Sequence, residues 1–217
     1  MSFLKRFRLA LAVLGSFPVL NSALPANAQT TDNQPVNIPF AASIHTGEKI
    51  GFEEVRRINL TVGTNEFAFV LPRGLNLRVD ASAPDKITIS SADCSYFLTV
   101  RLISFTGQNL GEGELNALYK NLVLTQYDGA SALEESSVTA DGQSGPAFEA
   151  NWYVGNTNTR RVVRVGFVPT QAGILECSLV TDPKKSAEAK SALSTVLMTL
   201  RSNRAGKLEN LVLADKS

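Results

Sequence analysis

The sequence predicts an α+β fold whose centre is an antiparallel β-sheet packed with helices. Three consecutive segments between residues 145 and 181 alternate apolar and polar side chains, the pattern of strands with one buried face. Short stretches of turn-forming residues around Gly155 and from Pro169 to Gly173 join them. Strands that follow one another on short loops pair most simply as an antiparallel meander. The next segment, residues 182–202, switches to the spacing of an amphipathic helix.

The apolar positions of these strands predict a core. They are Phe148, Ala150, Trp152, Val163, Val165, Phe167, Leu175, Cys177 and Leu179. The helix after them begins with Asp182 as its N-cap and Pro183 in its first turn. Asn203 and Gly206 mark its end.

Similar patterns upstream predict further elements of one domain over residues 66–203. Strands are centred on residues 67–71, 75–79, 87–89 and 96–102, a helix on 115–123 and an edge strand on 132–140. The polar residues 29–65 are interpreted as an N-terminal arm or linker. Within them, residues 57–62 alternate apolar and polar side chains and could form a further strand. Residues 204–217 are interpreted as a C-terminal tail.

The first 28 residues have the features of a secretory signal peptide. Lys5, Arg6 and Arg8 form a basic start, residues 9–20 an apolar run, and residues 26–28 (ANA) a cleavage pattern. The apolar run is shorter than the roughly 20 residues that span a membrane, which favours cleavage over a retained anchor. We therefore expect an exported protein, periplasmic or secreted, with no transmembrane segment after signal cleavage.

The charge balance argues against nucleic acid as a partner. The 217 residues include 21 Lys plus Arg and 20 Asp plus Glu, and three of the basic residues lie in the signal peptide, which leaves a net charge of −2. Such a chain lacks the excess of basic residues that binds phosphate backbones. We expect a monomer that needs no cofactor.

The two cysteines, Cys94 and Cys177, share the parity of the apolar residues in their predicted strands, so both are expected in the core. Two interpretations stay open. In an oxidising compartment a disulfide would close a loop of about 80 residues and contribute roughly 4 kcal/mol on the chain-entropy model. Alternatively, both are free thiols on strands too far apart to bridge.

No set of residues indicates catalysis, so we do not expect an enzyme. His45, the single histidine, lies in the predicted arm, and the domain therefore lacks a Ser-His or Cys-His dyad. Residues 142–146 (GQSGP) resemble a nucleophile elbow, but Pro146 stands where that motif needs glycine, and we interpret them as a turn. Neither metal-ligand spacing nor a phosphate-binding loop occurs, so no catalytic or metal-binding residue is predicted.

The candidate partner-binding surface consists of Tyr153, Arg160, Arg161 and Arg164, which flank the turn between two predicted strands. Arginines beside an exposed aromatic ring could recognise an anionic group. The alternative is that Arg164 only pairs with an acidic residue on a neighbouring strand.

The order of elements resembles the Mog1/PsbP-like group. The similarity covers residues 66–202 and rests on FAFVLPRGLNLRV, a central helix, then GPAFEANWYV, RRVVRVGFV, GILECSLVT and a terminal helix. The resemblance implies an α/β/α sandwich and a role in binding or assembly support without catalysis; it transfers no functional residues. One departure is the charge on the second sheet face, at Arg101 and Glu176 for example. We expect that face to be partly open, or lightly covered by the chain before residue 66.

Two functions follow as hypotheses. The first is an exported, non-catalytic binding or assembly-support protein whose partner is a protein or an envelope component. The alternative is a carrier of a small apolar or lipid ligand. A carrier needs an apolar cavity of a few hundred Å³ between sheet and helix. A partner-binding protein should instead show a filled core and an exposed patch.

Overall fold

The computed structural model describes residues 35–79, 82–105, 111–155 and 159–203, which form twelve β-strands and two α-helices. The predicted signal peptide (1–28) and C-terminal tail (204–217) lie outside the described residues.

The larger sheet, sheet A, contains eight of these strands, all paired antiparallel. Its order is β5 (Leu75–Val79), β6 (Lys86–Ser91), β7 (Tyr96–Phe105), β11 (Gly173–Thr181), β10 (Arg160–Thr170), β9 (Gln143–Tyr153) and β8 (Ser131–Ala140). Strand β1 (Pro35–Ile38) pairs with the second half of β7, beyond the part that pairs with β6. The predicted meander is confirmed, because β9, β10 and β11 are consecutive antiparallel neighbours.

The smaller sheet, sheet B, corrects the interpretation of residues 29–65 as an arm over residues 41–62, which form two of its strands. Its strands are β2 (Ala41–Ile50), β3 (Glu53–Val62), β4 (Asn65–Leu71) and β12 (Arg201–Asn203), in the order β12-β4-β3-β2. Ile58 and Leu60 of β3 are fully buried. The alternation over residues 57–62 was therefore a strand signal. The polar sequence of β2 is that of an edge strand, which has an exposed face and an unpaired side.

The two helices lie at the predicted positions. Helix α1 (Glu112–Gln126) connects β7 to β8, and helix α2 (Ser186–Thr199) follows β11. Between β11 and α2 runs one 3₁₀ turn (Pro183–Lys185), where the Asp182 carboxylate accepts a hydrogen bond of 2.9 Å from the backbone N–H of Lys184. Asp182 is thus a cap, as predicted, but of the 3₁₀ turn that leads into α2.

Both faces of sheet A carry apolar residues, but different strands supply most of them on each face. Phe148, Val165 and Phe167 pack with α1 residues Tyr119 and Val123. The other face packs into the larger core with sheet B and α2, through residues that include Leu98, Val100, Leu175, Cys177 and Leu179.

Strand register explains this division and corrects the expectation that all the apolar sets share one face. Phe167 lies opposite Glu176, and Glu176 lies opposite Arg101. Residues directly opposite each other point to the same face, so the polar residues of β7 and β11 share the α1 face with the apolar residues of β10. Both faces are covered. The predicted α/β/α arrangement is met in part, because sheet B shares the layer of α2.

Candidate functional site

A groove with a volume of about 660 Å³ lies between the first turns of α1 and the paired ends of β8, β9 and β10. We call it the α1 groove. It is lined by Glu112, Gly113, Leu115, Asn116, Tyr119, Ser137, Ser144, Gly145, Pro146 and Pro169.

The floor of the α1 groove depends on a close approach of two backbones. A Cβ atom at Gly145 would lie 1.8 Å from the carbonyl oxygen of Phe167. Only glycine permits this separation, since any side chain would force β9 away from β10. Pro146 directly follows Gly145, Pro169 lies two residues after Phe167, and both prolines line the groove.

Tyr119 is the most distinctive residue of the α1 groove. Its ring stacks on Phe167 with centroids 4.4 Å apart and contacts Phe105 edge-on at 5.6 Å. The residue is only 2% exposed, and its hydroxyl has no hydrogen-bond partner among the described residues. Burial raises the pKa of this hydroxyl to about 12, so it stays protonated and remains a donor.

Asn116, one helical turn before Tyr119, supplies a second unsatisfied atom. Its side-chain oxygen Oδ1 is buried without a hydrogen-bond partner in the described structure. The pKa of the nearby Glu135 carboxylate is lowered chiefly by Lys120 and, to a smaller extent, by the side chain of Asn116. Because residues three apart on a helix share a face, Asn116 and Tyr119 both line the α1 groove, and each has one buried oxygen without a partner among the described residues.

The charge of the α1 groove is small and negative. Among its lining residues, Glu112 is the one with a charge, and it is exposed at the start of α1. No lysine or arginine of the described chain lines the groove. An anionic group bound inside would therefore lose its hydration without gaining an ion pair.

Two further grooves lack these features. One, of about 580 Å³, lies around Asp141 and the β10–β11 turn, and the other, of about 560 Å³, lies between α2 and the β4–β5 turn. Among the described residues that line them, no side-chain atom is both buried and unpartnered. The α1 groove is therefore the stronger candidate for a ligand site.

The predicted partner surface is brought together only in part. Tyr153 is 47% exposed and lies opposite Arg160 on the face that also holds Arg164. Arg160 donates two hydrogen bonds to the Asn151 side-chain oxygen, at 3.0 and 2.8 Å. Arg164 lies 3.6 Å from the carboxylate of Glu149, the cross-strand pairing given as the alternative.

Arg161 lies on the opposite face of the sheet, across from Trp152. Its guanidinium is 3.4 Å from the carbonyl oxygen of Ser95 and 3.8 Å from the carboxylate of Asp182. Trp152 contacts the ring of Tyr127 and donates a hydrogen bond of 3.0 Å to the carbonyl oxygen of Asp128. Arg161 is therefore not part of one surface with Tyr153 and Arg160.

The two cysteines are free thiols in different surroundings. Cys177 is buried in the core, as expected, but Cys94 is exposed in the β6–β7 turn with a positive φ of 54°. The expectation that Cys94 points into the core is corrected because β7 begins only at Tyr96, so strand parity does not extend to Cys94. The candidate disulfide is not formed in this structure.

The described residues were also compared with the expectations for metal-binding groups, for His45 and for membrane-spanning helices. Within the described ranges, His, Cys, Asp and Glu side chains form no group of three that could hold a metal ion. His45 lies on β2, exposed, with its ring 3.2 Å from the hydroxyl of Ser43. None of the helices in the described part is long and apolar enough to cross a membrane.

The sequence did not predict the α1 groove. Its pattern predicted a helix centred on residues 115–123, with no role for Tyr119 or Asn116. The available signal was the spacing of these two residues, since two polar groups three positions apart sit on the face that the helix buries. Gly145 also belonged to a motif that was assigned only to a turn.

Fold and groove together define a class: an α+β protein with a large antiparallel sheet, two helices and a groove beside one of them. No protein-family model and no curated protein matches the sequence. Among solved structures, the chain is similar to LpqN, which is described as involved in cell envelope biogenesis of Mycobacterium tuberculosis. The TM-score is 0.48 and the sequence identity is 14%, over 69% of this chain and 91% of LpqN.

The chain is also similar to a cyanobacterial PsbP (CyanoP) from Synechocystis sp. PCC 6803. The TM-score is 0.48 and the identity 16%, over 73% of this chain and 98% of the other.

Proposed function

We propose that this chain is an exported, non-catalytic binding protein of the cell envelope, and that its ligand site is the α1 groove. The observation that carries the proposal is a groove of about 660 Å³ with apolar walls from Leu115, Pro146 and Pro169. The hydroxyl of Tyr119, a residue of its lining, is buried without a hydrogen-bond partner among the described residues, which is rare in native proteins. The signal-peptide features of the first 28 residues support export.

The α1 groove favours the carrier hypothesis over the partner-surface hypothesis. The carrier hypothesis required an apolar space between sheet and helix; the α1 groove is such a space, open to solvent on one side, with apolar walls from Leu115, Pro146 and Pro169. The arginines of the partner surface already bond to Asn151 and Glu149, so a partner would have to displace those contacts.

The test is native mass spectrometry of the protein purified from its own envelope fraction without detergent, with extraction of any small molecule that it retains. Ser137→Trp fills the groove from β8. Ser131→Trp, on the same exposed strand but outside the groove, is the matched control. We expect a stoichiometric small molecule with the wild type and with S131W, and its loss with S137W. Equal amounts in S131W and S137W, or none in the wild type, would contradict the proposal.

Protein docking at Tyr153 remains a second candidate, because this aromatic ring is 47% exposed beside Arg160. Its test is a pull-down from the envelope fraction with the wild type and with Tyr153→Ala. A partner that is captured by the wild type and by S137W but not by Y153A would place function on this surface. Retention of the partner by Y153A would remove the candidate.

A further inference from the structure

We propose that the edge of sheet A at β5 is a docking site for a protein partner, and that it receives an extended segment in which acidic and apolar residues alternate. The site lies outside the α1 groove and does not depend on the function proposed for that groove. Two observations carry the proposal. One is a group of cations on the outer strands of sheet A, and the other is the open edge of β5 beside them.

The cations share the face of sheet A that holds α1. Lys86 of β6 lies directly opposite Arg101, which lies opposite Glu176 on that face. Arg78 of β5 lies opposite Thr88, two residues after Lys86 on β6. Because opposed residues point to the same face, the side chains of Lys86 and Arg101 start about 5 Å apart and those of Lys86 and Arg78 about 7–8 Å apart. We call Arg78, Lys86 and Arg101 the cationic face.

The outer strands β5 and β6 lie beyond the packing of α1. The apolar cluster that contains α1 includes residues of β7, β9, β10 and β11 but, among the described residues, none of β5 or β6. Arg78 and Lys86 are accordingly exposed. Asp85, the acidic neighbour of Lys86, lies in the turn before β6 and forms no ion pair with it in the described structure.

Two of the three cations have no partner in the described chain. Arg101 donates hydrogen bonds to the carboxylate of Glu176 and to Oε1 of Gln126. The side chains of Arg78 and Lys86 form no hydrogen bond or ion pair with a described residue. One charge on a short edge strand can serve only to prevent aggregation, but Lys86 lies on the interior strand β6. An anionic group from a partner would offset both charges.

Strand β5 provides the open edge. It ends the order of strands in sheet A, and β6 is its one neighbour among the described strands. The backbone of Leu75 is already bonded, since its N–H donates to the carbonyl oxygen of Pro72 and its own carbonyl accepts from Arg56. Residues 76–79 are left to pair with a strand from another chain.

The edge and the charges together specify the partner. A polypeptide offers N–H and C=O groups at the spacing of a strand, which a lipid or a polysaccharide does not. In an added strand, every second side chain would lie beside Arg78 and one strand from Lys86, where a carboxylate gains charge-assisted hydrogen bonds. The side chains between them would lie on the face of Leu77, which packs on the larger core, and of Val79, which is 55% exposed. Apolar residues suit those positions.

The test is fluorescence anisotropy of the full chain with labelled eight-residue peptides at pH 7. The peptides are alternating Glu and Val, alternating Gln and Val, and the Glu–Val peptide with every backbone amide N-methylated. We expect saturable binding of the Glu–Val peptide, weaker on the order of tenfold for the Gln–Val peptide and in the double variant R78Q/K86Q. The N-methylated peptide should not bind, because it cannot pair as a strand.

The matched control is K49Q/K184Q, which removes two exposed lysines from β2 and from the 3₁₀ turn. It should bind the Glu–Val peptide within about twofold of the wild type, and so should S137W, whose α1 groove is filled. Loss of binding in S137W would place the peptide in the α1 groove and overturn the proposal for β5.

Three further results would overturn the proposal. The first is equal affinity of R78Q/K86Q and the wild type for the Glu–Val peptide, or no saturable binding to either. The second is equal affinity for the N-methylated peptide, which would exclude strand addition. The third comes from phosphatidylglycerol vesicles and polygalacturonate, titrated in parallel. If either binds the wild type more tightly than the Glu–Val peptide does and is lost in R78Q/K86Q, the cationic face recognises that polyanion and the assignment to a peptide is wrong.

Discussion

The hydroxyl of Tyr119 lowers the stability of the ligand-free protein, because a buried donor without a partner loses its bond to water and gains nothing. Replacing Tyr119 with Phe keeps the contacts with Phe167 and Phe105 and removes this loss. We expect Y119F to be more stable by about 1 kcal/mol in urea unfolding at pH 7. Destabilisation by Y119F would mean that the hydroxyl is bonded in solution.

The difference in stability between the wild type and Y119F has a defined pH dependence. Burial raises the pKa of Tyr119 from its ordinary value of 10.0 to about 12 in the folded chain, so the folded state binds its proton more tightly. The resulting stability is fully present below pH 10 and is lost as the pH rises from 10 to 12. The stability of the wild type relative to Y119F should therefore fall over that range.

Cys94 and Cys177 should differ in reactivity. Cys94 is exposed, whereas Cys177 is 1% exposed and burial raises the pKa of its thiol to about 12, which leaves almost no thiolate. We expect a maleimide to modify one thiol per native chain and two after non-reducing denaturation, as counted by mass spectrometry. Cys94→Ser should abolish the native modification. Failure of both thiols to react in the denatured chain would show a disulfide instead.

Glu176 is a buried carboxylate on the α1 face of sheet A. Arg101 donates two hydrogen bonds to Oε2, at 2.8 and 2.6 Å, while Oε1 is buried without a partner among the described residues. Burial raises the pKa of Glu176 above its ordinary value of 4.5, and the attraction of Arg101 offsets only part of that effect.

A raised pKa means that the contribution of Glu176 to stability is fully present below pH 4.5 and declines as the pH rises through the folded-state pKa. Glu176→Gln does not titrate. The stability of the wild type relative to E176Q should therefore decrease with rising pH above 4.5, as measured by urea unfolding at a series of pH values. Parallel curves for the two proteins would contradict the assigned direction.

At the scale of elements, the approach of β9 to β10 depends on Gly145. Gly145→Ala would place a Cβ atom 1.8 Å from the backbone oxygen of Phe167, which cannot move aside as a side chain could. We expect a loss of about 3 kcal/mol in unfolding free energy. Gly113, also in the groove lining, has open space around its Cβ position and lies in α1, so Gly113→Ala should stabilise by roughly 0.5 kcal/mol. Equal effects of the two substitutions would refute the close approach.

Periodicity was enough to locate β9, β10, β11 and α2, because each of these elements has a full apolar stripe and turn-forming residues at its ends. It could not tell which face each strand turns to α1. That depends on the register, which sets Phe167 opposite Glu176 and so places an apolar and a charged residue on one face. Register comes from pairing between strands and leaves no trace in the alternation of a single strand.

The candidate site was harder to predict for a related reason. Tyr119 and Gly145 are separated in sequence, and the groove exists only where α1 crosses the end of the β8–β9 hairpin. A tyrosine in an apolar stripe is most often a core residue whose hydroxyl reaches a partner. Only the packed structure reveals that this hydroxyl has none among the described residues.

At the scale of the whole molecule, the burial of β3 makes the segment before residue 66 part of the folded unit. Leu60 is fully buried in the core that sheet B shares with sheet A, while its neighbour Thr61 is exposed. If the segment is integral, Leu60→Ala leaves a cavity and should reduce the unfolding free energy by about 2–5 kcal/mol. Thr61→Ala, the matched control, should change it by less than about 0.5 kcal/mol.

The measurement is urea unfolding followed by tryptophan fluorescence, since Trp152 is the single tryptophan and lies on β9 in sheet A, far in sequence from the mutated strand. A loss of stability in L60A reported by Trp152 would mean that β3 and sheet A unfold together. A loosely attached arm predicts the opposite result, with the Trp152 transition of L60A superimposed on that of the wild type and of T61A. The two outcomes differ by several times the usual error of such measurements, so one titration decides whether the two sheets form one cooperative unit.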